Sequence, residues 1–429
     1  MRAVVLGGGG LTGRCTVRDL ARGRVFDEVV AADLDLPLAE AAARAAGPRA
    51  TARPVDVRDA GSLSGVLQGA AVCVNAVQYN LNLEVMEACL AAHVPYLDFG
   101  GLFHMTRRQL AWDPRFREAG LLAIPGLGQV PGISNVLAME ATRDMDRVGS
   151  IVIRDGWRDL TKNGPEILFT WSPSTFLDEM VMNAVVFENG KYHEYPAMSA
   201  AEDYPFPAPV GPTRVYRTLH SEPATLPTSL KEKGLRHCEW KEGGPGIDLL
   251  RTMALLGLGS DSPVPVGGTP VVPKRFLLAL LKQQGLLGAP KGVVVNDWEI
   301  VDLEIHGRAG RRPIVRHAQG LFPPKPAWHL TATEYAVGVA GAIGAEMIAR
   351  HEITATGVVP PELCVPGVRF RHELQRRGIR TRISPPERPF PSREPPIRRR
   401  TGSRAAAAGS HRAVSRMRPG SRTRASGRS

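Results

Sequence analysis

Cysteine is scarce in this chain and poorly placed for structural chemistry. The five residues, at positions 15, 73, 89, 238 and 364, are scattered and odd in number. That excludes a disulfide framework and a cysteine-based zinc site, and it points to reduced thiols in a cytoplasmic protein with no metal ligands to propose. Long apolar runs are missing as well. Although 43% of the residues are hydrophobic, no stretch reaches the roughly 18 unbroken apolar residues of a membrane span. The first apolar run, Ala3–Leu6, is too short for the core of a signal peptide, so neither a leader nor a membrane partner is expected. Lysine is missing from residues 388–429, which hold 12 Arg and one Glu and so carry +11. The other 387 residues supply only the last +1 of the net +12. The basicity therefore belongs to a tail, and a nucleic-acid partner is expected only if that tail is functional. With almost nothing apolar to bury, the tail is expected to be disordered, either a solvated extension or a stretch of non-native reading frame.

What the chain does have begins at its first residues. The apolar run Ala3–Leu6 breaks into Gly7-Gly-Gly-Gly10-Leu11-Thr12-Gly13, and a helix-like stretch follows from Arg14 to Ala21. The spacing Gly8-x-Gly10-x-x-Gly13 between a strand and a helix is a dinucleotide-binding pattern. One glycine permits the tight turn, one lets the backbone approach a pyrophosphate, and one lets the helix pack close to the strand. A second apolar run, Val29–Ala32, ends in Asp33, 20 residues after Gly13. An acid there accepts hydrogen bonds from ribose hydroxyls and repels a 2′-phosphate, so NAD is expected over NADP.

Further strands and helices alternate through Ala52–Val57, Ala71–Ala76, Tyr96–Phe99 and Leu121–Ile124. This predicts a Rossmann-type, doubly wound parallel sheet over residues 1–147, with ligands beyond the carboxyl ends of the strands. Asp56 and Val57, expected near the adenine, lie at such ends, as do Asn75, Ala76, Asp98 and the 125–132 loop. Residues 148–330 predict a second α/β domain, for substrate and dimerisation, with a mostly antiparallel sheet. Its signals are strands at Val148–Arg154 and Glu166–Trp171, a hairpin centred on Asn189-Gly190, and a pair at Val293–His306 and Pro313–His317. Helices are expected at Phe176–Ala184 and Arg275–Gln284, and a cleft-covering loop at Ala197–Pro212. Thr331-Ala-Thr-Glu334 fits a capping box, opening a helix to Arg350 that begins a segment, 331–384, returning to the first domain; the tail is 385–429. Gly338, Gly341 and Gly344 on one helix face imply close contact with a neighbour, since each costs roughly 1 kcal/mol relative to alanine.

Several stretches resemble the saccharopine dehydrogenase and lysine 6-dehydrogenase family. They are Val5–Gly13, Val74-Asn-Ala76, Tyr96-Leu-Asp-Phe-Gly-Gly101, Gly126-Leu-Gly-Gln-Val-Pro-Gly-Ile-Ser-Asn135 and Phe169-Thr-Trp-Ser-Pro173, with weaker similarity at Tyr216–Leu226 and Trp240-Lys241. The resemblance covers roughly residues 1–380. It implies hydride transfer between NAD(P) and a carbon bearing nitrogen, on an amino acid, a saccharopine-like amine or a polyamine-like substrate, in a homodimer. Reductive condensation, as in carboxynorspermidine or homospermidine synthesis, is the alternative, and a dinucleotide-binding protein without catalysis is another. In this frame Asp98 is expected as an acid–base or amine-contacting group, unless it merely caps the Gly100-Gly101 turn. His220 is expected in proton transfer. Gly132 is expected to open a helix toward cofactor or substrate. Trp171 and Ser172 are expected to line the substrate pocket, with Arg217 and Lys241 pairing substrate carboxylates.

Overall fold

Two sheets share one folded body. The computed structural model describes residues 1–387 except 163, 165–167 and 291. The basic tail from 388 onward lies outside the described residues, as do Glu166 and Ile167 of the expected strand Glu166–Trp171; of its other four residues only Phe169 pairs, in an isolated bridge to Leu287, so they form no strand.

The first sheet begins with β1 (Arg2–Leu6), β2 (Glu28–Asp33), β3 (Ala50–Pro54), β4 (Val72–Asn75), β5 (Tyr96–Asp98) and β6 (Leu122–Ile124). Ala3, Val4, Val5 and Leu6 are all fully buried, because helices cover both faces of a parallel sheet and leave no polar side. The second sheet is built from β7 (Arg147–Asp159), β8 (Ala184–Glu188), β9 (Lys191–Tyr195), β10 (Ser199–Pro205), β11 (Pro212–Arg217) and β12 (His237–Gly243). After a short hairpin, β13 (Val264–Val266) with β14 (Thr269–Val271), it continues with β15 (Asp297–Ala309) and β16 (Arg312–Phe322). Two late strands follow, β17 (Gly357–Val358) and β18 (Arg380–Ile383).

The first sheet has the order β17-β6-β5-β4-β1-β2-β3, and every pairing in it is parallel. It is a Rossmann-type sheet with a seventh strand donated from the far end of the chain. The second runs β10-β11-β12-β7-β15-β16-β18, with β8 on β12 and β9 on β8. It is antiparallel except where β12 lies parallel to β7. Asn189 and Gly190 both take positive φ between β8 and β9, the conformation a two-residue hairpin turn demands. The first part of the expected loop Ala197–Pro212 is instead β10, an edge strand paired with β11, and 206–211 remain a loop; the Pro and acidic residues of β10 suit an edge, where an unpaired N–H faces solvent. The β15–β16 turn is tight, at Gly310-Arg311, because pairing continues past the expected strand ends His306 and Pro313 to Ala309 and Arg312.

The helix Ala332–Ala349 starts with the capping box: Glu334 N–H donates to Thr331 Oγ1 at 3.3 Å, and Thr331 N–H to Glu334 Oε2 at 2.9 Å. It packs against the helix Gly13–Arg22. A Cβ on Gly338 would stand 2.5 Å from Cys15 Cβ, and one on Gly341 2.3 Å from Phe99 Cε1. These contacts require glycine, and they set the helix directly beside the glycine turn. Among the described residues no helix is long and apolar enough to cross a membrane.

Candidate active site

The chain leaves β1 through Gly7 at φ +69°. A Cβ on Gly8 would lie 2.8 Å from Ala31 Cα, and one on Gly13 would lie 2.0 Å from Gly7 O. The turn therefore cannot carry side chains where it folds against β2 and against itself. The following helix opens at Thr12 with no side-chain cap; Arg14 N–H is taken by Gly10 O at 3.1 Å, and the first-turn N–H groups on either side of it remain for an anion. Asp33 takes the N–H of Gly9 on Oδ2 and that of Asp35 on Oδ1, each at 3.0 Å, so its carboxylate is fixed at the carboxyl end of β2.

A cavity of about 590 Å³ runs from this turn into the second sheet. Gly10, Leu11, Thr12, Ala76, Trp171, Ser172 and His220 all line it. Gly8 and Gly13 shape the turn behind it. Asp56 accepts the N–H of Arg58 at 2.9 Å in the turn after β3; neither it nor Val57 reaches the cavity. Asn75 is buried beneath the cavity wall, donating to Asn82 Oδ1 at 2.9 Å and Tyr96 OH at 3.1 Å. Gly132, at φ +126°, opens the helix Ile133–Ala141 but stands behind Pro131, which lines the wall.

Three expectations are corrected by placement. Asp98 is buried and saturated: its carboxylate accepts from Gly100 N at 2.8 Å, Gly126 N at 2.7 Å, Tyr96 OH at 2.7 Å and Gln109 Nε2 at 2.5 Å. Burial pushes its pKa up against the pull of these bonds. It is the turn-capping carboxylate, with no lone pair to offer a substrate. Arg217 and Lys241 lie on the opposite face of the second sheet. Arg217 donates to Glu239 at 2.6 Å under the Tyr195 ring, and Lys241 to Glu202 at 2.7 Å. Side chains alternate along a strand, so an error of one residue moves a group to the other face.

What lines the cavity from that sheet is acid. Glu242 on β12 is the register partner of Asp155 on β7. Asp155 faces Val301 on β15, and Glu299 stands two residues along the same face. Glu179 reaches in from the helix Pro173–Val181. All four are less than 8% exposed. Glu242 Oε1 accepts from Thr218 Oγ1 at 2.5 Å, and Glu299 Oε2 from Thr333 Oγ1 at 2.6 Å. No donor among the described residues reaches Asp155 Oδ1 or Glu179 Oε2. Burial, then repulsion from Glu299 and Glu242, drives the Asp155 pKa far up. Burial and Glu242 do the same to Glu179. Glu242 and Glu299 are raised chiefly by burial. Carboxylates this close shed charge unless a cation arrives.

His220 stands among these acids. Its ring stacks on Trp240 with centroids 3.7 Å apart and planes 8° from parallel. Nδ1 is bonded to Glu222 Oε2, and Nε2 lies 3.9 Å from Glu179 Oε1. The cavity's basic side chains are at its margins. Arg14 is paired with Glu334 at 2.8 Å, Arg158 donates to Val210 O at 3.2 Å, and Lys282 is exposed.

The acids were the residues missed in the sequence. Their signal was positional. Ile151, Ile153, Asp155 and Trp157 share one face of β7, as Cys238, Trp240 and Glu242 do on β12 and Glu299, Val301 and Leu303 on β15. An acid occupying the inward phase of an apolar alternation is a buried acid.

Comparison with known proteins follows the two halves. A model of the saccharopine dehydrogenase NADP binding domain matches residues 3–124, and one of the saccharopine dehydrogenase C-terminal domain matches residues 128–379. Carboxynorspermidine synthase of Vibrio alginolyticus is 27% identical over 54% of this chain, a match spanning only 58% of that relative. Carboxynorspermidine synthase of Vibrio cholerae is 27% identical over 66% of this chain and 70% of its own length. Carboxyaminopropylagmatine dehydrogenase of Synechocystis is 24% identical over 67% and 74%. The fold matches saccharopine dehydrogenase (L-Glu forming) of Saccharomyces cerevisiae with a TM-score of 0.66 at 16% identity, over 89% of this chain and 99% of that one. It matches homospermidine synthase of Legionella pneumophila, solved with NAD, with a TM-score of 0.61 at 12% identity, over 93% of each chain.

Proposed function

Because the chain belongs to the saccharopine dehydrogenase family, we propose that it is an NAD(P)-linked oxidoreductase acting on a cationic, polyamine-like substrate. In the direction of synthesis it joins an aldehyde to an amine through an imine that is then reduced. The observation that carries this reading is the acid lining of Asp155, Glu179, Glu242 and Glu299 beside the glycine turn. Such a lining attracts ammonium groups and repels a substrate rich in carboxylates, so an amino acid or saccharopine is the weaker candidate. The names of the curated relatives fit the same choice.

A dinucleotide is the group this family implies, and the residues present suit it: a turn with no room for Cβ atoms, uncapped helix N–H groups, and Asp33 held ready at the end of β2. When bound in its reduced form it supplies hydride to the imine carbon. The chain's own residues do the rest. Asp155, Glu242 and Glu299 hold the amine in its ammonium form until it attacks. His220 Nε2 and the Glu179 carboxyl, 3.9 Å apart in the cavity wall, take the amine's proton and return one to the departing water. Trp171 and Phe176 cover the apolar part of the chain and keep water away.

The test is turnover. Absorbance of the reduced dinucleotide should fall with an aldehyde and a short diamine, and not with an oxo acid and glutamate or lysine. Turnover of saccharopine or lysine, with none on a diamine panel, would overturn the reading. Asp33 favours NAD, and Asp33→Ser should raise the NADP-to-NAD ratio of kcat/KM by about tenfold or more, since it removes the ribose acceptor and the repulsion together.

A further inference from the structure

The acid behind His220 has a holder of its own, and it comes from the other half of the molecule. Glu222 is fully buried, binds His220 Nδ1 through Oε2, and accepts the hydroxyl of Ser134 on Oε1 at 2.7 Å. Ser134 is also fully buried and lies in the first turn of the helix Ile133–Ala141, which continues directly from the Gln129–Pro131 wall of the cavity. The next residue, Asn135, ties that turn in place: its Oδ1 accepts from Gly132 N at 3.0 Å and its Nδ2 donates to Glu362 at 3.0 Å.

We infer that Glu222, clamped by Ser134, is a positioning residue that keeps the proton of neutral His220 on Nδ1 and turns an unprotonated Nε2 toward the cavity. A carboxylate bonded to one imidazole nitrogen dictates which tautomer exists. The other neighbours leave that choice to Glu222. Trp240 meets the ring face and offers it no in-plane bond. Glu179 faces Nε2 from the helix Pro173–Val181 at 3.9 Å, and Glu242 and Glu299 approach from the sheet at the range of charge interaction. Because Ser134 follows the first sheet and Glu222 follows a strand of the second, their bond also ties the orientation of His220 to the seating of the two halves.

The kinetic meaning of this arrangement rests on the function proposed above; the tautomer itself does not, which separates the two in the test. The full chain with nitrogen-15-labelled histidine is compared with His220→Gln, Glu222→Gln and Ser134→Ala. His220→Gln identifies the signal. Neutral His220 should carry its proton on Nδ1 in the natural chain and in Ser134→Ala. Glu222→Gln, which keeps the shape and loses the charge, should populate the Nε2–H form. Its kcat should fall at least about tenfold, toward the 100-fold or more that a misplaced general base costs, with KM within about threefold. Ser134→Ala should lower kcat severalfold, and Ser134→Thr, which restores the hydroxyl, should recover most of it. An Nε2–H form in the natural chain, an unchanged tautomer in Glu222→Gln, or full rate in Ser134→Ala would overturn the inference. If no amine is turned over, the function proposed above fails while the spectrum still decides this point.

Discussion

On one face of β12, β7 and β15 the acids are bonded by bases; on the other, among the described residues, no Lys or Arg reaches them and His220 is the one base nearby. Glu239 meets Arg217 and His237, Glu202 meets Arg154 and Lys241, and Glu304 meets Arg154 and His306. An odd number of residues along the same strands, on the other face, Glu242, Asp155 and Glu299 have hydroxyls, each other, His220 at the range of charge interaction, and the cavity. The pKa values divide with the faces. Burial pushes Glu239 up, but bonds from His237 and Arg217 more than offset it and hold it at about 2. The bond from His306, with Arg154 nearby, holds Glu304 at about 2. The inward acids all move up. Burial is common to both sets, so the difference is the partner. A buried acid whose counter-cation is supplied by the fold is structural, and one whose counter-cation is missing is waiting for a ligand.

The contrast can be broken most sharply by exchanging a carboxylate for an amide on each face. Glu242→Gln should lower kcat/KM for a cationic amine about 10- to 100-fold, the worth of a charge-assisted hydrogen bond, while Glu239→Gln should leave it within about twofold per folded molecule. Equal losses would erase the distinction. Next comes the shared cation of the paired face. Arg154→Met leaves Glu202 with Lys241 alone and Glu304 with His306 alone, and should cost about 1–2 kcal/mol in denaturant unfolding, less than a fully buried pair because both acids keep a partner and some solvent, with kcat/KM unchanged.

A smaller effect sharpens the sign. Asp297, at the cavity edge, is raised to about 7 by burial. Its folded pKa is above its ordinary value, so the fold loses stability as pH rises from the usual carboxylate range toward about 7, and Asp297→Asn removes that loss. The variant should melt a few degrees higher above about pH 7, and no higher in acid. Acids of the paired face have the opposite slope: their stabilisation is present above the usual glutamate range and is lost as pH falls toward about 2. The smallest change is Lys241→Met. It should cost less than about 1 kcal/mol, because Glu202 keeps Arg154, and it should not touch turnover.

The first sheet was readable because local rules and global fold agree there. Gly10 and Gly13 are crowded by Gly7 a few residues away and Gly8 by Val5 and the next strand of the same βαβ unit, and buried parallel strands appear as plain apolar runs. The Asn189-Gly190 hairpin and the Thr331 cap were readable for the same local reason. The site was not, because its acids come from β7, β12, β15 and a helix that only the sheet brings together. Lys241 and Arg217 attracted attention for their charge, whereas strand phase decided their role. Trp240 and Glu242, on either side of Lys241, are the ones that face the cavity. Asp98 was misjudged for a related reason: its place at a strand end was right, but five donors from Asn82, Tyr96, Gly100, Gln109 and Gly126 were invisible until the chain was folded.

The late strand β17 pairs with β6, and the glycine-striped helix lies on the turn that begins the chain. The ribosome therefore makes the nucleotide-binding half in two instalments, with β7 to β16 synthesised between them. Until the second instalment emerges, β6 is an unprotected edge and the helix Gly13–Arg22 is uncovered on the side where Cys15 meets Gly338. No N-terminal fragment that stops before Gly357 contains the finished sheet, and such a chain would carry an adhesive sheet edge in place of its last strand.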